Sequence, residues 1–183
     1  NERKTYQKEF SNIDDYLVSL NMEIFFDENN KRQIERISQL TQKTNQFNMT
    51  TIRYSIEDIK RIINDDKYVI YTSSLMDKFG DYGLTGLAII KKDENWFIET
   101  FLMSCRILGR GVENAFLSFI ADKAISNNVK ILKASFVETQ KNLPAKKAYK
   151  SYGFIQDDDV KNLWSLDLNN QILFPKFITY NQK

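Results

Sequence analysis

Histidine is absent from all 183 residues, and no other feature of the sequence excludes as much chemistry. Ser-His-Asp triads, Cys-His dyads and most catalytic zinc sites need imidazole, so acid–base work falls to carboxylates, Tyr, Lys or water. No metal is expected. Only one cysteine is present, so no internal disulfide can close, and a reducing, cytoplasmic setting is the expectation that fits. No apolar run approaches the roughly 20 residues that span a bilayer, which sets membrane insertion aside. No repeat or low-complexity tract appears either. The 26 basic residues are interspersed with 24 acidic ones for a net charge of +2. Nucleic acid is therefore not the expected partner.

What remains is an ordinary globular composition, 42% apolar and 27% charged. The length suits one domain, or one with an appendage, able to bury roughly two-thirds of its unfolded surface. The sequence opens on Asn1 without an initiator Met or a signal-peptide core, which reads as a piece of a longer protein.

Periodicity divides the chain into a short amphipathic N-terminal helix ending near Leu20, a brief strand Met22 to Phe26, and two helices. The first carries Ile34, Ile37 and Leu40 behind an Asn30 cap. The second carries Ile56, Ile59, Ile62 and Ile63 behind a Ser55/Asp58 capping box. From Lys67 the period changes, and Tyr68 to Thr72, Gly86 to Ile90 and Trp96 to Leu102 predict an antiparallel meander. A long helix follows Gly109-Arg110-Gly111, then a strand Ile131 to Val137, a helix Pro144 to Tyr152, and strands at Gly153 to Ile155 and Leu163 to Leu166. The expected architecture is α/β (α+β), a mixed central sheet of about seven strands flanked by about four helices. The right-handed crossover rule lays the long helix across one face.

The run Asn142-Leu-Pro-Ala145-Lys-Lys-Ala148-Tyr149-Lys-Ser-Tyr152-Gly153-Phe154 fits N-x-x-A-x-x-x-Y-x-x-x-G-F at every anchor. Together with the order of elements it resembles the GNAT superfamily of acyl-CoA-dependent N-acyltransferases. The resemblance implies that Asn142 contacts a pantetheine arm, that Ala145 lines it, and that Tyr149 protonates the departing thiolate. A phenol can donate one proton there without carrying charge. The structural alternative is that Asn142 caps a helix, Ala145 and Ala148 pack, and Gly153 ends the helix.

The same resemblance places cofactor contacts on Leu102, Met103 and Ser104 and in the loop Gly109, Arg110, Gly111 and Val112, where backbone N–H groups would cradle phosphates. Two registers of that loop stand. Arg106-x-x-Gly109-x-Gly111 fits the motif R/Q-x-x-G-x-G/A. The phase of the following helix instead favours Gly111 as the first glycine, which puts Leu108 at the Arg/Gln position and Glu113 at the second glycine. A carboxylate there would repel a pyrophosphate. The resemblance also implies that Glu99, on the fourth strand, stands where many members hold a general base; the alternative is a charged residue on a solvated strand face. Cys105 reads as a buried, inert thiol, with a thioester role for it beside Arg106 the alternative.

A narrower resemblance rests on three stretches: Ile37 to Tyr54 with its Thr44-Asn45-Gln46-Phe47-Asn48-Met-Thr50-Thr51 core, Asp77-Lys-Phe79-Gly80-Asp81-Tyr82-Gly83, and Phe101-Leu-Met-Ser104-Cys105-Arg106-Ile-Leu-Gly109-Arg110-Gly111-Val-Glu113. Together these look like the C-terminal part of FkbH-like proteins, in which an N-terminal HAD-type domain dephosphorylates an acyl phosphate and loads an acyl carrier protein for polyketide extender units. The HAD nucleophile motif is not in this chain. The resemblance implies residues 1–20 as a linker helix from that domain, 21–168 as a GNAT-like domain and 169–183 as a tail. It also marks Asn45, Gln46, Asn48, Thr50 and Arg53 as acceptor-site candidates, with an ordinary polar loop as the alternative. The expected function is acyl transfer from, or presentation of, a pantetheine thioester, borne by CoA or by the phosphopantetheine of a carrier protein. A catalytically silent carrier-docking module and an independent acetyl-CoA-dependent N-acetyltransferase acting on a small molecule are the alternatives.

Overall fold

Alternating apolar residues pair three long strands into the expected meander. These are β2 (Tyr68–Asp77), β3 (Gly80–Lys91) and β4 (Trp96–Met103) in the computed structural model, which describes residues 2–181. The sequence ends this strand at Thr72 and starts the next at Gly86, but β2 continues to Asp77 and β3 already begins at Gly80. Two register shifts at Ser73 and Ser74 keep this polar stretch paired, and only Lys78 and Phe79 turn the chain. β1 (Met22–Glu28) lies antiparallel to β2, and β5 (Ile131–Ser135) runs parallel to β4. β7 (Leu163–Asp167) pairs with β5, and β6 (Ile155–Gln156) with β7. β8 (Ile178–Asn181) adds parallel to β1, giving a mixed sheet in the order β6-β7-β5-β4-β3-β2-β1-β8.

Among the described residues six α-helices dress this sheet: α1 (Glu2–Gln7), α2 (Ile13–Ser19), α3 (Ile34–Lys43), α4 (Ile56–Ile63), α5 (Val112–Ser126) and α6 (Ala148–Ser151). The Ser55/Asp58 capping box starts α4 as the sequence predicts. Asn30 instead caps a 3-10 turn, Lys31–Gln33, that leads into α3. α3 and α4 bury Ile37, Leu40, Ile59 and Ile63 against Ile70, Leu87, Ile89 and Leu102 on one face. On the other face α5 is apolar nearly all round and packs Val112, Phe116 and Ile120 into the main core. Phe26 stacks on Phe119 with ring centroids 4.1 Å apart. Gly86 lets Phe116 of α5 and Ser73 of β2 come close to β3, since a Cβ there would lie 2.3 Å from Ser73 Oγ and 3.0 Å from the Phe116 ring.

Both end segments pack on residues 21–168. Tyr16, Leu17 and Leu20 are buried, and Arg3 pairs with buried Asp77 at 2.9 Å. The C-terminal segment supplies β8 and sets Pro175 and Phe177 over Gly111, where a Cβ would meet the Phe177 ring at 3.0 Å. Among the described residues no helix is long and apolar enough to cross a membrane.

Candidate functional site

β4 and β5 pair only from Trp96 to Ile98 against Leu132 to Ala134, then part. The register on the β3 side passes from Ile98 to Thr100, so Glu99 is the extra residue of a bulge in β4. Such a bulge flips the side-chain alternation and ends straight pairing. Ile98 and Phe101 therefore both reach the α5 face, while Thr100 bonds toward Tyr54 and Leu102 reaches the α3/α4 face.

The opening between the strands is filled by the chain itself. Met49 N donates to Phe101 O at 3.0 Å, and Met103 N donates to Phe47 O at 2.9 Å, so Phe47 to Met49 forms a strand-like rung on β4, with Asn48 bridging Leu102. On the far side Val137 N donates to Met49 O at 2.8 Å. Asn142 closes the arrangement. Its Nδ2 donates to Asn48 O and Val137 O, both at 2.9 Å, and its Oδ1 accepts from Thr139 N at 2.7 Å. Asn142 is fully buried and makes no side-chain cap to the 3-10 turn Leu143–Ala145. It ties the cleft rather than capping a helix. Thr50 Oγ1 donates to Glu99 O at 3.2 Å, and Asn48 Oδ1 accepts from Thr51 N.

Ala145 is buried, and so is Tyr149, whose ring packs on Phe154 and Trp164. The Tyr149 hydroxyl has no hydrogen-bond partner among the described residues, and burial pushes its pKa far up. Gly153, at φ 88°, ends α6, and Phe154 N closes back on Tyr149 O. Sequence reasoning missed Tyr54. It sits beside Glu99, its hydroxyl shares a 2.8 Å hydrogen bond with Thr100, and burial raises its pKa to about 12 against the opposing Thr100 bond. No local motif marks it, because only the β4 bulge brings Glu99 and Thr100 to that position.

At the loop before α5, Gly109 and Gly111 both adopt φ 74°, and Gly111 is the residue that precedes the helix. Glu113 occupies the first turn and is buried. Its Oε1 accepts from Gly109 N at 2.8 Å, so the loop's amide is engaged by the chain's own carboxylate. Arg110 faces inward, donating to Asp77 and to Arg106 O, and burial lowers its pKa although Asp77 opposes the shift. Phe177 lies beside Gly111 of the same loop. Ser104 N donates to Thr85 O, which leaves Ser104 Oγ to accept from Arg106 Nε.

The polar loop after α3 is split between two places. Arg53 holds the backbone, donating to Thr44 O and Asn45 Oδ1, while Asn48 and Thr50 belong to the filled cleft. Asn45 and Gln46 line a surface cleft of about 510 Å³ that also takes in Ser104 and Cys105. Cys105 is exposed, contrary to the buried thiol the sequence suggests, because a 3-10 turn, Cys105–Ile107, swings it out beyond the end of β4.

No protein-family model and no curated protein matches the sequence. Solved structures do match the fold. The chain is similar to the ribosomal-protein-S18-alanine N-acetyltransferase from Escherichia coli, at 12% identity and TM-score 0.60, over 79% of this chain and 94% of that one. It is similar to a GNAT-family acetyltransferase from Staphylococcus aureus, at 11% identity and TM-score 0.59, over 79% and 99%. An aminoglycoside acetyltransferase, AAC(6')-Ib, solved in complex with coenzyme A, matches at 11% identity and TM-score 0.57, over 79% and 94%. The fold is the GNAT fold. Within it, β4, its bulge at Glu99 and its departure from β5 bound the cleft that Phe47 to Met49 fills.

Proposed function

We propose that this GNAT-fold chain is an acyltransferase-type domain of an FkbH-like protein, working on a pantetheine thioester borne by an acyl carrier protein. In this reading the β4–β5 cleft opens by displacement of Phe47 to Thr50. One observation carries it: the cleft accepts an extended, amide-bearing chain on Phe101 O, Met103 N, Val137 N and Asn142. Pantetheine is such a chain, with two amides in an extended arm, so the segment that fills the cleft presents the groups a pantetheine arm would present. The unpartnered Tyr149 hydroxyl agrees, since a buried donor without a partner costs about 1–3 kcal/mol unless a ligand satisfies it.

The donor is carrier-borne for two physical reasons. Glu113 and Phe177 occupy the loop where the CoA pyrophosphate would lie, and a carrier-borne arm has no pyrophosphate. Opening the cleft gives up several hydrogen bonds and the burial of Phe47 and Met49, on the order of several kcal/mol. A free ligand loses affinity by the fraction of open molecules, whereas a protein carrier adds its own docking energy. Glu99 at the bulge is then the candidate base and Tyr149 the candidate acid, with Leu102, Met103, Ala145 and Asn142 along the arm.

A second reading is favoured by the depth of Tyr149 and the completeness of the filled cleft: a catalytically silent module that docks the carrier protein for a HAD-type domain outside this chain. Thiol release from an acylated carrier protein separates the two. Transfer predicts release that Tyr149→Phe slows about 100-fold or more. Docking alone predicts that the carrier binds, no thiol appears, and Tyr149→Phe changes nothing.

A further inference from the structure

Arg36, Lys43 and Arg106 line the surface cleft at the C-terminal end of α3, together with Gln39, Gln46 and Ser104, and no carboxylate lines it. None of the three cations makes an ion pair among the described residues. Arg36 donates to Gln39 Oε1 at 3.1 Å, Arg106 donates through Nε to Ser104 Oγ at 3.3 Å and through Nη2 to Tyr82 O at 3.4 Å, and the Lys43 ammonium has no hydrogen-bond partner among the described residues. Three unneutralised cations converging on one concavity create a positive potential that a cleft focuses. Two guanidiniums present planar forks suited to an oxyanion. The volume of about 510 Å³ exceeds what one anionic group fills and lies in the range of small-molecule sites.

We infer that this cleft binds a phosphate ester, with the phosphate on Arg36, Lys43 and Arg106 and the organic part against Gln39, Gln46 and the apolar stem of Leu40. The ester is either a free phosphorylated metabolite or the phosphate of a phosphopantetheine arm. The inference shares Gln46 and Ser104 with the proposed function and rests on that reading for the second source. It requires only binding, so it can fail while acyl transfer stands, and the reverse.

The test is calorimetric titration of the chain with inorganic phosphate, 4'-phosphopantetheine and pantetheine. Both phosphate-bearing probes bind and pantetheine does not. Arg36→Gln, Lys43→Gln and Arg106→Gln each weaken binding about fivefold or more, Lys60→Gln leaves it unchanged, and raising salt weakens it further. These side chains are exposed, so the variants fold. Cys105 supplies a second readout, because a bound ester slows alkylation of this cleft thiol. A tenfold or greater preference for 4'-phosphopantetheine over phosphate, about 1.4 kcal/mol, identifies the arm as the source. Equal affinities identify a free ester. Pantetheine binding as well as its phosphate, phosphate affinity that survives all three substitutions, or no binding at millimolar probe overturns the proposal.

Discussion

Tyr149 shows how one side chain can be read two ways and then separated by measurement. Its hydroxyl is buried without a partner, so Tyr149→Phe removes a desolvated donor and leaves the packing on Phe154 and Trp164 intact. Stability in urea is expected to hold or to rise by up to about 1 kcal/mol. A loss of that size would mean the hydroxyl has a partner in solution. The buried phenols also set an alkaline limit. Tyr54 is raised to about 12, and burial pushes Tyr71, Tyr149 and Tyr152 up as well. A phenol raised on folding contributes fully below the unfolded value near 10 and loses that contribution as pH climbs through its folded value. Stability therefore falls above about pH 10, by about 2–3 kcal/mol for Tyr54 alone by pH 12. Ultraviolet titration should show these phenolates appearing well above the usual value near 10. The anchor residues of the Asn142 to Phe154 motif were legible in the sequence because they recur at fixed spacing. The partners of Asn142 were not, since Asn48 lies 94 residues away in sequence and no local pattern encodes that contact.

At the scale of elements, the meander and the α5 crossover follow from hydrophobic period, and the sequence reads them almost to their ends. Two features escape it for physical reasons. β2 runs past Thr72 because bulges keep Ser73 and Ser74 paired, and a polar strand has no apolar alternation to show. Phe47 to Thr50 resembles a polar loop because its structure comes from main-chain bonds to β4 and β5, which side-chain type hardly reports. Met49 anchors that segment at 0% exposure. Met49→Ala is expected to cost about 2–5 kcal/mol, seen in chemical denaturation, and to loosen 47–50 before the rest of the sheet. A cost under about 1 kcal/mol would show that the segment is held by something other than its core packing.

The whole molecule is more integrated than a GNAT core with loose ends. Buried Asp77 accepts from Arg3 of α1, from Arg110 before α5, from Tyr82 of β3 and from Phe79 N, so the N-terminal helix, the β2–β3 turn and the glycine loop share one carboxylate. Asp77→Asn leaves two cations without a counter-charge and is expected to destabilise by about 3–5 kcal/mol, with α1 released; thermal melting and limited proteolysis report both. The central claim, that the cleft closed by Phe47 to Thr50 is a pantetheine site, is tested most directly by amide hydrogen exchange with and without saturating acylated carrier protein. The account predicts that protection of the Met49 amide is lost on adding the carrier, while Met103 and Val137 stay protected because the arm takes over their bonds. If the carrier binds and Met49 remains as protected as before, the cleft does not open and the account is contradicted.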